Sequence, residues 1–444
     1  MRAGQQVIVV GLGKSGISAA KLCLRAGARV LGTDSAPLEQ LADEARALGI
    51  ELVAGGHVGV PFESADLVVV SPGVPALPEL ERAQAAGVEV IGELELAARA
   101  LEAPIVAVGG TNGKSTTTTL VGEFFKADGR STFVGGNLGT PASDASVGNW
   151  DVVVLEVSSF QLERAPSFCP RVSLLLNISE DHLDRYPSFQ AYAEAKGNAF
   201  VNQTSGDVAV VPYGDLDCER QARRGQGRLV RFGGQGEFAL EGTRVVERAS
   251  DEAFELEGTR LFGRHNHDNA AAALAAAREL GVSAAVARRA LADFEPLPHR
   301  MALVKTVASV RFYDDSKGTN VGAAVTALRG LSEARGVLIA GGRDKHGSYE
   351  PLVRALEDKG RALVLIGEAS ERIAQAVSER LPVVRAGSMD QAVEEAFRLA
   401  SPGDAVLLSP ACSSFDMFQS YADRGRKFVA AVERLSARNS SEVS

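Results

Sequence analysis

Two glycine-rich turns carry the chemistry that is easiest to read. In Gly109-Gly110-Thr111-Asn112-Gly113-Lys114-Ser115, glycines let backbone N–H groups converge on phosphate oxygens. A helix behind such a turn adds free N–H groups and its positive dipole end. Lys114 would reach the outer phosphates, and the Ser115 hydroxyl could ligate Mg2+. The usual spacing asks for glycine at position 108, which is Val108, so the loop is one residue short and Gly109 takes that part. The pattern indicates nucleoside triphosphate binding. The other turn, Gly11-Leu12-Gly13-Lys14-Ser15-Gly16, follows a strand-like run, and Asp34 ends the next one. Alone it reads as an NAD fingerprint. Lys14 adds positive charge, so the turn indicates a diphosphate-bearing ligand without saying which.

Other constellations follow apolar runs. Glu156 ends such a run in Val154-Leu155-Glu156-Val157-Ser158-Ser159, where a carboxylate beside a phosphate loop could hold a hard cation. His182 lies in the acidic turn Glu180-Asp181-His182-Leu183-Asp184, which helix capping would also explain. His265 and His267 open an Ala-rich helical segment. Two apart at a helix start they diverge, so capping or purine contact is expected rather than a metal pair. Three polar turns stand near the C-terminal end: Asp314 to Asn320, Gly341 to Lys345 and Ser409 to Asp416. Cys412 could be a nucleophile, but without an evident base it reads as a buried core thiol.

These turns need strands to project them. Apolar runs at 6–10, 29–32, 66–70, 105–108, 151–157, 171–177, 336–340, 362–366, 382–385 and 404–408 alternate with helix-period segments, the pattern of α/β units with mainly parallel sheets. One long strand is expected at 302–313. Residues 212–262, rich in Gly and Arg, are expected to form a small antiparallel region, and two helices split by Gly281 should follow. Glu295 to Arg300, with two prolines, reads as a linker, and the polar tail from Asn439 as frayed. The expected domains are 1–93, 94–297 and 298–444. The chain has 444 residues and a net charge of −9, which disfavours non-specific nucleic-acid binding. Its longest apolar run, from Ala270 to Ala277, is too short to span a membrane, and the run at Val7 to Val10 ends in glycine, so no secretory leader is expected. Four scattered cysteines indicate reduced thiols in a cytoplasmic protein.

Together the motifs resemble the Mur ligase family of peptidoglycan precursor synthesis, in its D-glutamate-adding branch. The resemblance rests on Gly110 to Thr116, Leu155 to Leu162, Glu180 to Tyr186, Asp315 to Asn320 and Leu408 to Ser414. It implies three α/β domains: a Rossmann-like one for the UDP substrate, a central P-loop ATPase-type one, and a C-terminal Rossmann-like one for the amino acid. It implies ATP on Gly110, Thr111, Asn112, Gly113, Lys114, Ser115, Thr116, Thr117, Asn269, Arg300 and Asp315. It implies the UDP substrate on Gly11, Gly13, Lys14, Ser15, Asp34, Ser35, Gly73 and Asn137, with no NAD. D-glutamate falls to Lys317, Thr319, Lys345, Ser414 and Tyr421. Two Mg2+ sites would draw on Ser115, Glu156, His182 and Lys196, the last as a carbamate; Lys114, Lys196 and His182 are the catalytic candidates. The implied reaction joins UDP-N-acetylmuramoyl-L-alanine to D-glutamate through an acyl phosphate, in a cytoplasmic monomer that needs neither nucleic acid nor membrane. The chain departs from the family pattern at Lys14-Ser15, where a small apolar residue and Thr are common. It departs again at Ala36, where a basic residue can meet the uracil, and at Tyr421, where Phe is common.

Overall fold

The computed structural model describes residues 2–182, 185–344, 347–378 and 380–442. Three sheets follow one another along the chain. The first has the strand order Glu51–Ala54, Arg29–Asp34, Gln6–Val10, Leu67–Val70, Glu89–Gly92, all parallel. The order reverses at Gln6–Val10, which opens a crevice at its carboxyl end. The Gly11 turn and the Ser71-Pro72-Gly73 turn meet there, and the Ser71 hydroxyl donates to the Gly11 carbonyl at 2.7 Å. Gly16 has no alternative, because a Cβ there would lie 1.8 Å from that carbonyl oxygen.

The second sheet has nine strands. Its centre is parallel: Val172–Leu175, Ile105–Gly109 and Val152–Glu156 lie side by side, with Thr132–Gly136 at the edge. The expected antiparallel region is narrower than its sequence suggested. Arg228–Phe232 pairs parallel to Val208–Pro212, and only Phe238–Glu241, Arg244–Glu247 and Glu252–Glu255 run antiparallel. Ala270 to Ala277 are all fully buried within the helix Arg264–Glu279, whose small side chains let it pack closely against the helix Lys114–Ala127.

The third sheet orders Ala302–Val307, Val310–Asp314, Ala405–Leu408, Gly336–Gly341, Gly360–Ile366 and Val383–Arg385. Three adjacent members, Val310–Asp314, Ala405–Leu408 and Gly336–Gly341, are mutually parallel, so their three following turns share one edge. Two expectations need correction. The long strand at 302–313 is a tight hairpin, turned by Ala308 and Ser309, both with positive φ. The polar tail does not fray at Asn439: the helix Tyr421–Glu442 continues past it to Glu442. Among the described residues no helix is long and apolar enough to cross a membrane, and all four cysteines are free.

The helix Glu93–Ala100 joins the first sheet to the second. Glu95 accepts from Ser167 N and Arg99 Nε, while Glu93 Oε1 accepts from Ser143 N at 2.6 Å. Glu93 is only 1% exposed, and burial pushes its carboxyl up from 4.5 to about 7. The folded chain therefore keeps a proton that the unfolded chain releases, and stability falls as pH rises between these values. Glu93→Gln keeps the acceptor without the charge. It is expected to flatten that slope and to stabilise the protein by up to about 3 kcal/mol near pH ~8, with no gain near pH ~4. Denaturant melts at both pH values check this.

Candidate active site

The site forms where the centre of the second sheet faces the turns of the third. Ile105–Gly109 runs into residues 110–113 and then the helix Lys114–Ala127. Gly110 has φ +137° and Gly113 φ +84°, backbone that L side chains rarely adopt. Asn177 clasps the loop from the next strand end: its Oδ1 accepts from Asn112 N at 2.9 Å, and its Nδ2 donates to Asn112 O at 3.1 Å. Asn269 closes the other side, so a Cβ on Gly113 would lie 2.3 Å from Asn269 Oδ1. Gly113→Ala is expected to keep the fold and weaken nucleotide binding by about tenfold or more, since it combines backbone strain with a displaced Asn269. Calorimetric titration with ATP checks this.

Two lysines converge on one loop carbonyl. Lys114 Nζ donates to Gly110 O at 2.9 Å and to Thr111 O at 2.7 Å, and Lys196 Nζ donates to Gly110 O at 2.8 Å. Burial holds both amines below the usual lysine range. Lys196 lies well below it, first through its burial and then through like-charge repulsion from Lys114. The Tyr192 ring lies 4.4 Å from Lys196 Nζ, and the Tyr192 hydroxyl is 3.2 Å from Thr111 Oγ1.

Glu156 ends its strand beside this loop. Its carboxylate accepts from the Ser115 hydroxyl and, at 2.6 Å, from Asn137 Nδ2. Asn137, expected on the UDP substrate, thus stands beside Glu156. The Ser115 hydroxyl also accepts from Arg300, which crosses from the linker. A hydroxyl and a carboxylate at a phosphate loop are hard oxygen donors of the kind Mg2+ takes along with phosphate oxygens. Among the described residues no three His, Cys, Asp or Glu side chains form a metal cage. His182 has φ +55° and lies 3.7 Å from the Asp181 carboxylate; Leu183 and Asp184 lie outside the described residues. Thr116 and Thr117 are buried, and the Thr117 hydroxyl has no hydrogen-bond partner among the described residues.

A cleft of about 1000 Å³ separates this loop from the third sheet, with Asn112, Asp181 and Asn269 on one wall and Asn320 and Tyr349 on the other. Asn320 bridges the walls: its Nδ2 donates to Asn112 Oδ1 at 3.2 Å and Asp181 Oδ2 at 3.0 Å. His265 also lines the cleft. Burial lowers its pKa to about 4, so it is neutral at physiological pH, and its Nδ1 lacks a partner among the described residues. It caps nothing, since the helix begins at Arg264 without a side-chain cap.

The three turns of the third sheet meet as its strand order requires. Asp315 Oδ2 accepts from Ser409 Oγ at 2.7 Å, and burial pushes the Asp315 carboxyl up to about 7. Lys317 Nζ sits 3.9 Å over the Tyr421 ring. Arg424, fully buried, donates to Ser316 Oγ, Ser316 O and Cys412 O, stapling two of the turns together. Thr319 lies within the first turn and Ser414 is buried in the last; Lys345 falls outside the described residues. In the first sheet, Asp34 accepts from Leu12 N at 2.6 Å and Ala36 N at 2.8 Å, so it orders the Gly11 turn. Lys14 and Ser35 are exposed, Ser15 is half-buried, and Gly13 and Gly73 face open space.

Sequence comparison agrees with this geometry. Family models described as the MurD-like N-terminal domain, the Mur ligase middle domain and the Mur ligase glutamate ligase domain match residues 5–92, 108–277 and 299–412. The chain belongs to the Mur ligase family. Among its relatives, the UDP-N-acetylmuramoylalanine--D-glutamate ligase of Trichlorobacter lovleyi is 45% identical over 443 residues, covering 97% of this chain and 99% of the relative. The ligase of the same name from Geotalea uraniireducens is 46% identical, with 97% and 98% covered. The MurF ligase of Thermotoga maritima, solved in complex with ADP, superposes with a TM-score of 0.62 at 18% identity, over 99% of this chain and 96% of its own. That likeness extends the Mur ligase fold to all three sheets. Tyr192, Asn177, Asn320 and Arg424 bond to residues of the candidate site, and sequence reasoning passed over them. Asn177 and Asn320 lay inside recognised motifs, whereas Tyr192 and Arg424 sit on helices with no local signal.

Proposed function

We infer that this Mur ligase joins the carboxylate of UDP-N-acetylmuramoyl-L-alanine to the amine of D-glutamate, converting ATP to ADP and phosphate, in cytoplasmic peptidoglycan precursor synthesis. The observation that carries the reading is the cleft. A phosphate loop with a half-buried lysine and an adjacent carboxylate faces three polar turns gathered by adjacent strands. Near-full-length identity to D-glutamate ligases supports the choice of amino acid.

In this reading residues 1–93 hold the UDP moiety, 94–297 the ATP, and 298–444 the amino acid. The Gly11 turn, ordered by Asp34, cradles the diphosphate, with Gly13, Lys14, Ser15, Ser35 and Gly73 along the crevice. Residues 110–117 and Asn269 hold ATP, while Arg300 and Asp315 approach it from the third domain. Lys114 leaves its loop carbonyls for the γ-phosphate and offsets the repulsion between carboxylate and phosphate. The substrate carboxylate oxygen attacks phosphorus, ADP leaves, and an acyl phosphate forms. The D-glutamate amine then attacks the acyl carbon, and the carbon–oxygen bond breaks to release phosphate. Lys317, Thr319, Lys345, Ser414 and Tyr421 hold D-glutamate, with the lysines on its carboxylates. Ser115, Glu156, His182 and a carbamate on Lys196 would hold Mg2+, which when bound supplies charge neutralisation at the phosphates. The protein acts as a monomer and needs no membrane.

The test is phosphate release from ATP with UDP-N-acetylmuramoyl-L-alanine and D-glutamate, L-glutamate, L-alanine or no amino acid. Release with D-glutamate alone, matched by amide product, is expected. Release that ignores the amino acid would contradict the ligase reading.

A further inference from the structure

We propose that His57 is a specificity-determining residue for the UDP substrate, on the reading that residues 1–93 hold the UDP moiety: its Nε2 accepts the imide N–H of the uracil ring.

The path of the ligand follows from the first sheet. Its strands are all parallel, so the Gly11 turn, the Asp34 turn and the turn after Glu51–Ala54 share one edge. The second domain meets that sheet on the far side, where Gly92 N, at the end of the strand Glu89–Gly92, donates to Arg164 O at 2.7 Å. With the diphosphate at the Gly11 turn, the reacting end of the substrate leaves across Leu67–Val70 and Glu89–Gly92 toward the phosphate loop. The uridine then extends the opposite way, over Arg29–Asp34 toward Glu51–Ala54. That end lies two strand spacings, about 10 Å, from Gln6–Val10.

Several polar groups at this edge are already engaged. The Asp34 carboxylate accepts from Leu12 N and Ala36 N, and the Ser71 hydroxyl donates to Gly11 O. Ala36 brings no polar side chain. His57 is different. Gly55 and Gly56, with φ +78° and +131°, fold the chain back onto the Asp34 turn. Gly55 N donates to Ala36 O at 2.8 Å, and Gly56 N donates to Asp34 O at 3.1 Å. The half-buried His57 ring is thereby brought to Thr33, with the Phe62 ring edge-on at 6.3 Å.

The hydrogen bonds assign the tautomer. Thr33 has one hydroxyl proton, and Gly56 O accepts it at 3.3 Å. The 2.9 Å contact between Thr33 Oγ1 and His57 Nδ1 is therefore one that Nδ1–H donates. In the neutral ring Nε2 then carries a lone pair, and it has no partner among the described residues. Uracil presents an N–H between two carbonyls. Cytosine has a bare nitrogen at the same place, which would meet Nε2 lone pair to lone pair. An acceptor fixed in this way bonds the first base and rejects the second.

The experiment is calorimetric titration of the full-length protein with UDP, CDP and 3-methyluridine diphosphate, in the parent, His57→Ala and His57→Gln. The parent is expected to bind UDP at least about tenfold more tightly than CDP. His57→Ala should raise the Kd for UDP by about tenfold and leave that for CDP within about twofold, so that the preference collapses. His57→Gln, whose Oε1 supplies an acceptor near the same place, should restore part of it. The methylated base lacks the N–H, so its Kd should stay within about twofold between the parent and His57→Ala. Thermal midpoints of both variants should stay within about 2 °C of the parent. Equal binding of UDP and CDP by the parent overturns the proposal. So does an unchanged Kd for UDP in His57→Ala, or an equal weakening of UDP and CDP, the mark of a merely structural role. A parent that binds no UDP overturns the reading of residues 1–93 itself, and the proposal with it.

Discussion

Lys114→Ala is expected to retain its fold and to lose ligation by about a thousandfold or more in kcat. Lys114 lies at the first helical position after the phosphate loop, and its amine reaches two loop carbonyls within 2.9 Å. The same amine can therefore swing only a short way to meet a γ-phosphate cradled by that loop. Burial holds its pKa down, while Glu156 and Asp181 pull the other way. Arrival of a polyanionic nucleotide would restore the full positive charge where negative charge builds in the transition state. A factor of a thousand corresponds to about 4 kcal/mol, within the range of one well-placed electrostatic donor in a dry site. Rapid-quench measurement of phosphoryl transfer, with the thermal midpoint as a folding control, reads the effect. Turnover within about tenfold of the parent would remove Lys114 from the chemistry.

The second large effect belongs to Lys196. Lys196→Ala is expected to lose about a hundredfold or more in kcat and to regain part of it with added formate or acetate. The reasoning starts from the neutral amine. Lys196 is 4% exposed, and burial and Lys114 hold its pKa well below the lysine range. An uncharged amine has the lone pair needed to attack carbon dioxide. The new nitrogen–carbon bond forms, one N–H proton leaves to solvent, and a carbamate anion remains. Such an anion relieves the repulsion from Lys114 and adds an oxygen ligand beside the phosphate loop. A short carboxylic acid supplies the same oxygen atoms in the space that alanine leaves. The alternative is that Lys196 acts only as an amine donor to Gly110 O, the contact seen at 2.8 Å. Methylamine would then rescue the variant and carboxylic acids would not.

The two glycine turns were legible because phosphate binding requires contiguous residues at fixed spacing, and the strands before and after them were equally plain. What the sequence hid was assembly. The turns Asp314 to Asn320, Gly341 to Lys345 and Ser409 to Asp416 could each be read, but their meeting depends on Val310–Asp314, Ala405–Leu408 and Gly336–Gly341 lying side by side. No local pattern states that order. The hairpin at 302–314 was missed because Ala308 and Ser309 take positive φ without the Gly or Asn that marks such turns. The contact of Asn137 with Glu156 was likewise hidden, because only the pairing of Thr132–Gly136 with Val152–Glu156 brings the two together. Arg424 was invisible for a different reason. A long cation on a polar helix ordinarily faces solvent, and its burial shows only once the third domain closes around it.

The central claim is that the substrate carboxylate itself attacks the γ-phosphate. The most direct measurement labels that carboxylate of UDP-N-acetylmuramoyl-L-alanine with heavy oxygen and weighs the phosphate released as amide forms. The acyl phosphate route predicts one labelled oxygen in each phosphate, because the carbon–oxygen bond breaks when D-glutamate attacks. Unlabelled phosphate accompanying amide formation would mean that water, and not the carboxylate, receives the phosphoryl group, and it would contradict the account.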